Sequence, residues 1–375
     1  MAAATDPGAL TRPAPRLPAR TLLLIPAALA LLAGLTGALS LLDLPGVEVP
    51  APGLADVHGP VMVLGFLATL IALERAVAAR RTWPYAAPTA LGLGAAAILA
   101  PSARPIGHVL GVLGALLLCA TYVVLWRRQR DDAVLVELLA AGFAVLAAIT
   151  WPRLDVAAAL PWLVGFVVFT IAAERVELAR IHIAHGDRRL VAHAAAYTAA
   201  AAAAMLWPVA GNRALALVLL SLTLWLASAD VARHTIRGTG QARFAAIALL
   251  AGYAWLALAA TTWLVSATLA GDAAYDTVVH ATFLGFAMSM VLAHAPVIGP
   301  AIVRRPIAFR AVLWLPLALL HGGLVVRLVL GDGLGNLGLW RAGAVLTVLA
   351  LLALPLALVS AARGARTLHT SKGAG

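Results

Sequence analysis

The chain has 375 residues, of which 63% are hydrophobic and 11% are charged, and its mean hydropathy is +0.96. This composition excludes a soluble globular domain, because apolar runs of about 18 residues or more between short polar breaks are typical of polytopic helical membrane proteins. The net charge of +11 does not indicate nucleic-acid binding, since the basic residues are spread over many short loops and form no single patch.

The single cysteine, Cys119, lies within an apolar run. It excludes an intramolecular disulfide and a cysteine-based zinc or iron–sulfur site. Any metal must therefore be bound by histidine, methionine, carboxylate or backbone groups.

The apolar runs predict an all-α polytopic membrane fold with twelve transmembrane helices. An Ala/Pro-rich cytoplasmic tail (1–20) precedes a single transmembrane domain (21–363), and a second tail follows it (364–375). The first run lacks a small-residue cleavage site, so we expect an uncleaved helix. The predicted spans are 21–42, 57–79, 85–101, 105–126, 133–151, 157–178, 190–209, 213–231, 243–269, 274–298, 309–330 and 340–362.

Basic residues lie mainly on one set of alternate loops. Because Lys and Arg concentrate in cytoplasmic loops, this bias predicts a bacterial-type inner-membrane protein with both termini in the cytoplasm and the 331–338 loop outside. A helix missed in this count would have distributed the basic residues over both sets of loops. The other set of loops carries Arg104, Arg153, Arg213, Arg327 and Arg341.

Three spans share a sequence pattern. Residues 65–75 read GFLATLIALER and residues 165–175 read GFVVFTIAAER, while the tenth span repeats the Gly-Phe pair at Gly285 and has His294 where the other two have glutamate. Since these spans lie four helices apart, we predict three four-helix units with pseudo-threefold symmetry. Chance recurrence in low-diversity sequence is the alternative, although a Glu-Arg pair at matched depth is not an effect of composition.

The tenth span carries two histidines, His280 and His294, and fourteen helical steps place them within about 40° of one face. Ionisable groups within the bilayer usually face the bundle interior and mark a functional site. The two lie about 21 Å apart along the helix, so they cannot ligate one haem together.

His58, at the start of the second span, lies at a depth similar to that of His280. Imidazoles from two helices can serve as the axial ligands of a haem, and Gly65 and Gly285 would leave room for the porphyrin. Met62 lies on the same face as His58. The alternative is that a histidine at a helix end is merely interfacial.

Three further residues are candidates at the outer side. His321 lies near the depth of His280 and could complete a second metal site, for which copper is the candidate, or could bond to a backbone carbonyl. Arg327 and Arg341 flank the outer loop, where a planar guanidinium suits a haem propionate. Snorkelling to the surface explains these arginines almost as well.

Glu74, Glu174 and His294 form a group near the inner side. They could load protons, or they could pair with Arg75, Arg175 and loop arginines, and we favour the pairing. The chain has no nucleotide-binding loop, no Ser/His/Asp arrangement and no HExxH motif.

Two short motifs, His58-x3-Met62-x2-Gly65-Phe66 and His280-x4-Gly285, resemble the NnrS family of haem- and copper-containing membrane proteins. More distantly the chain is similar to subunit I of the haem-copper oxidases, in twelve helices, pseudo-threefold arrangement and a haem held by histidines of helices two and ten. The NnrS resemblance implies haem, copper and a link to nitric oxide.

We therefore expect an integral membrane haem protein, with or without copper, that handles electrons or a diatomic ligand such as nitric oxide. If it is an enzyme, we expect a haem/copper redox protein. Its partners would be the lipid bilayer, haem and the gas, with no nucleic acid. The competing hypothesis is a metal-free proton-coupled transporter or a membrane scaffold, in which the histidines and glutamates couple protons across the repeats.

Overall fold

A computed structural model describes residues 18–46, 53–178, 186–269, 271–305 and 307–371, with side chains up to residue 362. Helices make up nearly all of these ranges, and no strand occurs within them. The prediction of an all-α, multi-pass membrane protein is confirmed. Most of the predicted N-terminal tail and the end of the predicted C-terminal tail lie outside the described residues.

Eleven helices in the described ranges are long and apolar enough to cross a membrane. Together with one shorter helix, α3, they follow the predicted order. They are α1 (Ala19–Ser40), α2 (Ala55–Ala79), α3 (Ala86–Leu99), α4 (Pro101–Gln129), α5 (Asp132–Thr150), α6 (Val156–Leu178), α7 (Gly186–Leu206), α8 (Pro208–Ala229), α9 (Gly240–Val265), α10 (Asp272–Val303), α11 (Ala311–Asp332) and α12 (Leu337–Ala362).

The third predicted span forms a helix, α3, that is shorter than the other eleven. Helix α3 has 14 residues, which corresponds to about 21 Å against a hydrocarbon core of about 30 Å. It packs closely against α4, where a Cβ on Gly94 would lie 3.0 Å from the carbonyl oxygen of Gly107. Twelve spans therefore remain a prediction, of which eleven satisfy the length of a membrane-crossing helix.

Contacts between helix ends show which helix ends lie together on one side of the bundle. The Arg20 guanidinium, at the start of α1, donates to the carbonyl oxygens of Ala301 (2.6 Å) and Ile302 (2.8 Å) at the end of α10. Arg128, at the end of α4, donates to the carbonyl of Ala78 at the end of α2. We call this end of the bundle, which most of the arginine-rich loops adjoin, the arginine-rich end.

Reporter fusions would test the orientation of this bundle. We expect fusions placed after Arg130 and after Gly335 to give opposite signals, because the positive-inside bias predicts that the arginine-rich end faces the cytoplasm. A topology-sensitive pair of reporters, one active only in the cytoplasm and one active only outside it, gives the measurement. Equal signals at the two positions would contradict the predicted helix count between them.

Three segments of the described helices have π-helical geometry. They are Val61–Leu67 in α2, Ala281–Met288 in α10 and Val325–Asp332 in α11. The first two contain the repeated Gly-Phe pairs, whereas the matching segment of α6 is ordinary α-helix. π-Helical segments occur frequently at functional sites, so these three segments point to one region of the bundle. The pseudo-threefold repeat remains a prediction from sequence.

Gly65 and Gly285 do not have the role that we predicted for them. A Cβ on Gly65 would lie 2.7 Å from the Cβ of Ala95 in α3, and a Cβ on Gly285 would lie 2.5 Å from the Cβ of Trp255 in α9. Neither glycine lines the cavity that contains His58 and His280. They allow neighbouring helices to approach closely, which is the usual role of small residues in membrane helix packing, and the prediction that they make room for a porphyrin is wrong.

Candidate functional site

A cavity of about 330 Å³ lies at the end of the bundle opposite the arginine-rich end, among α1, α2, α6, α10, α11 and α12. Its size falls in the range of small-molecule sites, roughly 300–1,000 Å³. All three π-helical segments contribute to its walls, which are mainly leucine, valine, phenylalanine and methionine. The polar residues of the lining include Asp56, His58, Tyr275, Asp276, His280, Arg327, Trp340 and Thr347.

The imidazole of His58 is held by the backbone at the start of α2. Its Nδ1 lies 2.7 Å from the carbonyl oxygen of Ala55. A carbonyl only accepts, so Nδ1 must carry the proton, and Nε2 keeps its lone pair. No residue in the described ranges hydrogen-bonds to Nε2, which leaves this nitrogen available to a ligand in the cavity.

The imidazole of His280 is held in the same way, with a carboxylate added. Its Nδ1 lies 3.0 Å from the carbonyl oxygen of Asp276 and 3.0 Å from Oδ1 of the same residue. Both groups accept the Nδ1 proton, so in the neutral imidazole Nε2 keeps its lone pair, as in His58. A histidine that donates its other N–H to a carboxylate or a carbonyl is the usual arrangement for a metal-ligating imidazole.

Asp276 is the centre of a polar network beside the cavity. Arg327 donates to both of its carboxylate oxygens, at 2.8 and 2.5 Å, and the indole Nε1 of Trp340 donates to Oδ2 at 3.1 Å. The Arg327 guanidinium also lies 4.8 Å from the centre of the Trp340 ring. These contacts fix the carboxylate that orients His280, and they place Arg327 beside His280 at the wall of the cavity.

Arg341 and His321 do not line this cavity. Arg341 donates to the carbonyl of Leu42 (2.7 Å) and contacts Asp43 (3.3 Å). His321 accepts a hydrogen bond at Nδ1 from the indole of Trp255 (2.9 Å), and its Nε2 lies 3.5 Å from the Ser289 hydroxyl. Both nitrogens of His321 therefore face protein partners, and the predicted pairing of His321 with His280 around a second metal is not supported.

Within the described ranges, no group of three or more His, Cys, Asp or Glu side chains is placed to hold a metal ion. The arrangement of these side chains therefore gives no support to the predicted copper site. A haem differs in this respect, because the porphyrin supplies four of the six ligands and the protein needs to supply only two.

A second polar region lies near the arginine-rich end and consists of three glutamates around Arg75. The Arg75 guanidinium contacts Glu74 at 2.8 Å, Glu174 at 2.7 Å and Glu137 at 3.3 Å. The side chains of Arg75 and Glu137 are only 12% and 1% exposed. The prediction that Glu74 and Glu174 pair with arginine is confirmed, and both pairs are partly buried between helices.

Arg175 forms a second ion pair next to the first. It donates to both carboxylate oxygens of Asp230, at 2.9 and 2.8 Å, and its Nη1 lies 3.3 Å from Nε2 of His294. Tyr253 donates to the same carboxylate at 2.7 Å. Burial alone would raise the pKa of Asp230, which follows the end of α8, but the bonds from Arg175 hold that pKa below its ordinary value. The predicted pairing of His294 with Arg175 is confirmed.

Glu137 and Asp276 were not among the residues predicted from the sequence. Glu137 could have been noticed as the only ionisable residue in the interior of its span. Asp276 lies four residues before His280, which is the spacing at which two helical side chains meet. Nothing in the sequence pointed to Trp340, because its contact with Asp276 joins two helices, α12 and α10, that are not consecutive in the chain.

Comparisons with known proteins identify a family. No curated protein and no solved structure matches the chain. A family profile matches residues 20–363, which includes all twelve helices almost completely. The chain therefore belongs to the family described as Domain of unknown function (DUF8744).

Proposed function

We propose that the cavity between α2 and α10 binds haem, with His58 and His280 as axial ligands, and that the protein handles electrons or a diatomic ligand such as nitric oxide. The observation that carries this proposal is the state of the two imidazoles. Both line one cavity, and both have Nδ1 bonded to protein acceptors, so each retains the Nε2 lone pair that an iron would bind.

The remaining lining suits a flat apolar group with a polar edge. Phe66, Phe283 and Met288 contribute apolar wall, and methionine adapts readily to the shape of a ligand. Arg327 uses Nε and Nη2 for Asp276, so Nη1, which has no hydrogen-bond partner within the described part of the chain, is the atom that could donate to a propionate. Arg341 is engaged elsewhere and has no part in this proposal.

Each residue has a separate role in the proposed site. His58 and His280 would bind the iron, and bound haem would supply one-electron and gas-ligand chemistry. Asp276 accepts the Nδ1 proton of His280, which orients the ring and makes Nε2 more basic. Arg327 and Trp340 hold Asp276 in place. The apolar wall excludes water, which is one of the factors that set a haem potential.

Absorption spectra of the purified protein test this proposal. Protein purified from haem-replete cells should show a Soret band and stoichiometric iron, because the two imidazoles are available as ligands. Copper measured in the same samples tests the copper prediction separately. Colourless, iron-free protein would contradict the haem proposal and would favour the metal-free transporter or scaffold.

A further inference from the structure

The glutamates around Arg75 carry more negative charge than the arginine can balance. With Glu74, Glu137 and Glu174 ionised and Arg75 positive, the group would have two uncompensated negative charges. Such charges are strongly unfavourable away from water unless they are paired, and the side chains of Glu137 and Arg75 are only 1% and 12% exposed. The group therefore needs a further cation.

A proton suits this group better than a metal ion. The three carboxylates are arranged around a guanidinium, and the described ranges contain no set of three acidic or histidine side chains placed to hold a metal ion. A metal would need several oxygens at once, whereas a proton needs only one.

Unsatisfied polar atoms indicate which residue takes the proton. Both carboxylate oxygens of Glu137, the hydroxyl of Tyr122 and Nε of Arg75 are buried without a hydrogen-bond partner among the described residues. The Tyr122 side chain is fully buried. Glu137 also has the longest contact to Arg75, at 3.3 Å, so its negative charge is the least stabilised of the three.

Neighbouring charges do not remove this imbalance. Glu177, on α6, adds a further negative charge to the surroundings of Glu137 and Glu174. Arg175 is already paired with Asp230, and His294 accepts from Arg175. The groups that face the cluster are thus Glu74 and Arg75 from α2, Tyr122 from α4, Glu137 from α5, Glu174, Arg175 and Glu177 from α6, and His294 from α10.

We propose that the three glutamates around Arg75 form a proton-binding site that holds at least one proton at neutral pH, and that Glu137 carries it. In the binding step, hydronium gives its proton to a carboxylate oxygen of Glu137, which leaves one water molecule and a neutral carboxylic acid. Protonation removes one of the two uncompensated negative charges, while the ion pairs of Arg75 with Glu74 and Glu174 remain. The site shares no residue with the histidine cavity, so it does not depend on the haem proposal.

Infrared spectroscopy of the full chain in lipid nanodiscs tests this site. At neutral pH we expect the carbonyl stretching band of a protonated carboxylic acid, which shifts on exchange into D2O. The band should be lost in Glu137→Gln. It should be unchanged in Asp132→Asn, which alters an exposed carboxylate on the same helix.

Two results would overturn the proposal directly. One is a wild-type spectrum without a protonated carboxylic acid band at neutral pH. The other is a band that persists with undiminished intensity in folded Glu137→Gln, because the proton would then belong to another carboxyl group.

Thermal unfolding covers the case in which the variant is unstable. If Glu137 is already neutral, glutamine replaces it without a change of charge, and the unfolding midpoint at neutral pH should move by only a few degrees. A large drop in the midpoint, or failure of Glu137→Gln to fold while Asp132→Asn folds, would show that an ionised Glu137 is needed to balance Arg75. That result would also overturn the proposal.

Discussion

His280→Ala is expected to abolish the six-coordinate haem spectrum, whereas His294→Ala should leave it intact. His280 lines the cavity and keeps its Nε2 lone pair for a ligand. His294 lies about 21 Å further along the same helix, with both ring nitrogens bonded to Arg175 and to the carbonyl of Met290. We expect complete loss of the six-coordinate spectrum in His280→Ala and no change of that spectrum in His294→Ala. Absorption spectra of purified protein after reconstitution with haem give the measurement.

His58→Ala should have the same effect as His280→Ala, because a low-spin haem needs both axial ligands. His321→Ala is the matched control within the membrane, since it removes a buried imidazole that does not line the cavity. Asp276→Asn should weaken haem binding about 10- to 100-fold without removing either ligand, which is the usual cost of altering a group that orients a ligating histidine.

The outcome that contradicts this assignment is specific. Loss of haem in folded His294→Ala or His321→Ala, together with retention in His280→Ala, would place the iron elsewhere. Folding of each variant can be followed by size-exclusion chromatography, so that loss of haem is not confused with loss of the protein.

Arg75→Gln should destabilise the protein more than any other single change near the arginine-rich end. Arg75 contacts three glutamates within 3.3 Å, and its removal leaves the carboxylates of Glu74 and Glu174 without their counter-ion. Breaking a buried ion pair by removing one partner costs about 3–5 kcal/mol, a large part of the stability of a folded protein. We expect a much lower yield of folded protein and a lower unfolding midpoint.

Arg81→Gln is the matched control for this change, because Arg81 is an exposed arginine just beyond the end of α2. It should be nearly neutral, as exposed charges usually contribute little. Adding Glu174→Gln to Arg75→Gln should recover part of the lost stability, since one of the uncompensated charges is removed. Equal unfolding midpoints for Arg75→Gln and Arg81→Gln would show that the cluster contributes little to the fold.

The amino-acid sequence by itself determined the features that depend on one helix at a time. Long apolar runs must form helices in a bilayer, because hydrocarbon offers their backbone groups no other partner, and so the order of helices was predictable. The depth of each residue along its helix was also predictable, since it follows from the helical rise per residue. Hence His58 and His280 could be placed at one level, and Glu74 and Glu174 near the other end.

Only the tertiary structure decided which side chains meet, because that depends on how each helix is rotated and which helices are neighbours. The spans are apolar on nearly all sides, so their patterns carry little information about rotation. For this reason Glu137 was missed and Arg327 was assigned to a propionate without its partner Asp276. Gly65 and Gly285 were misread for the same reason, since their neighbours Ala95 and Trp255 come from other helices.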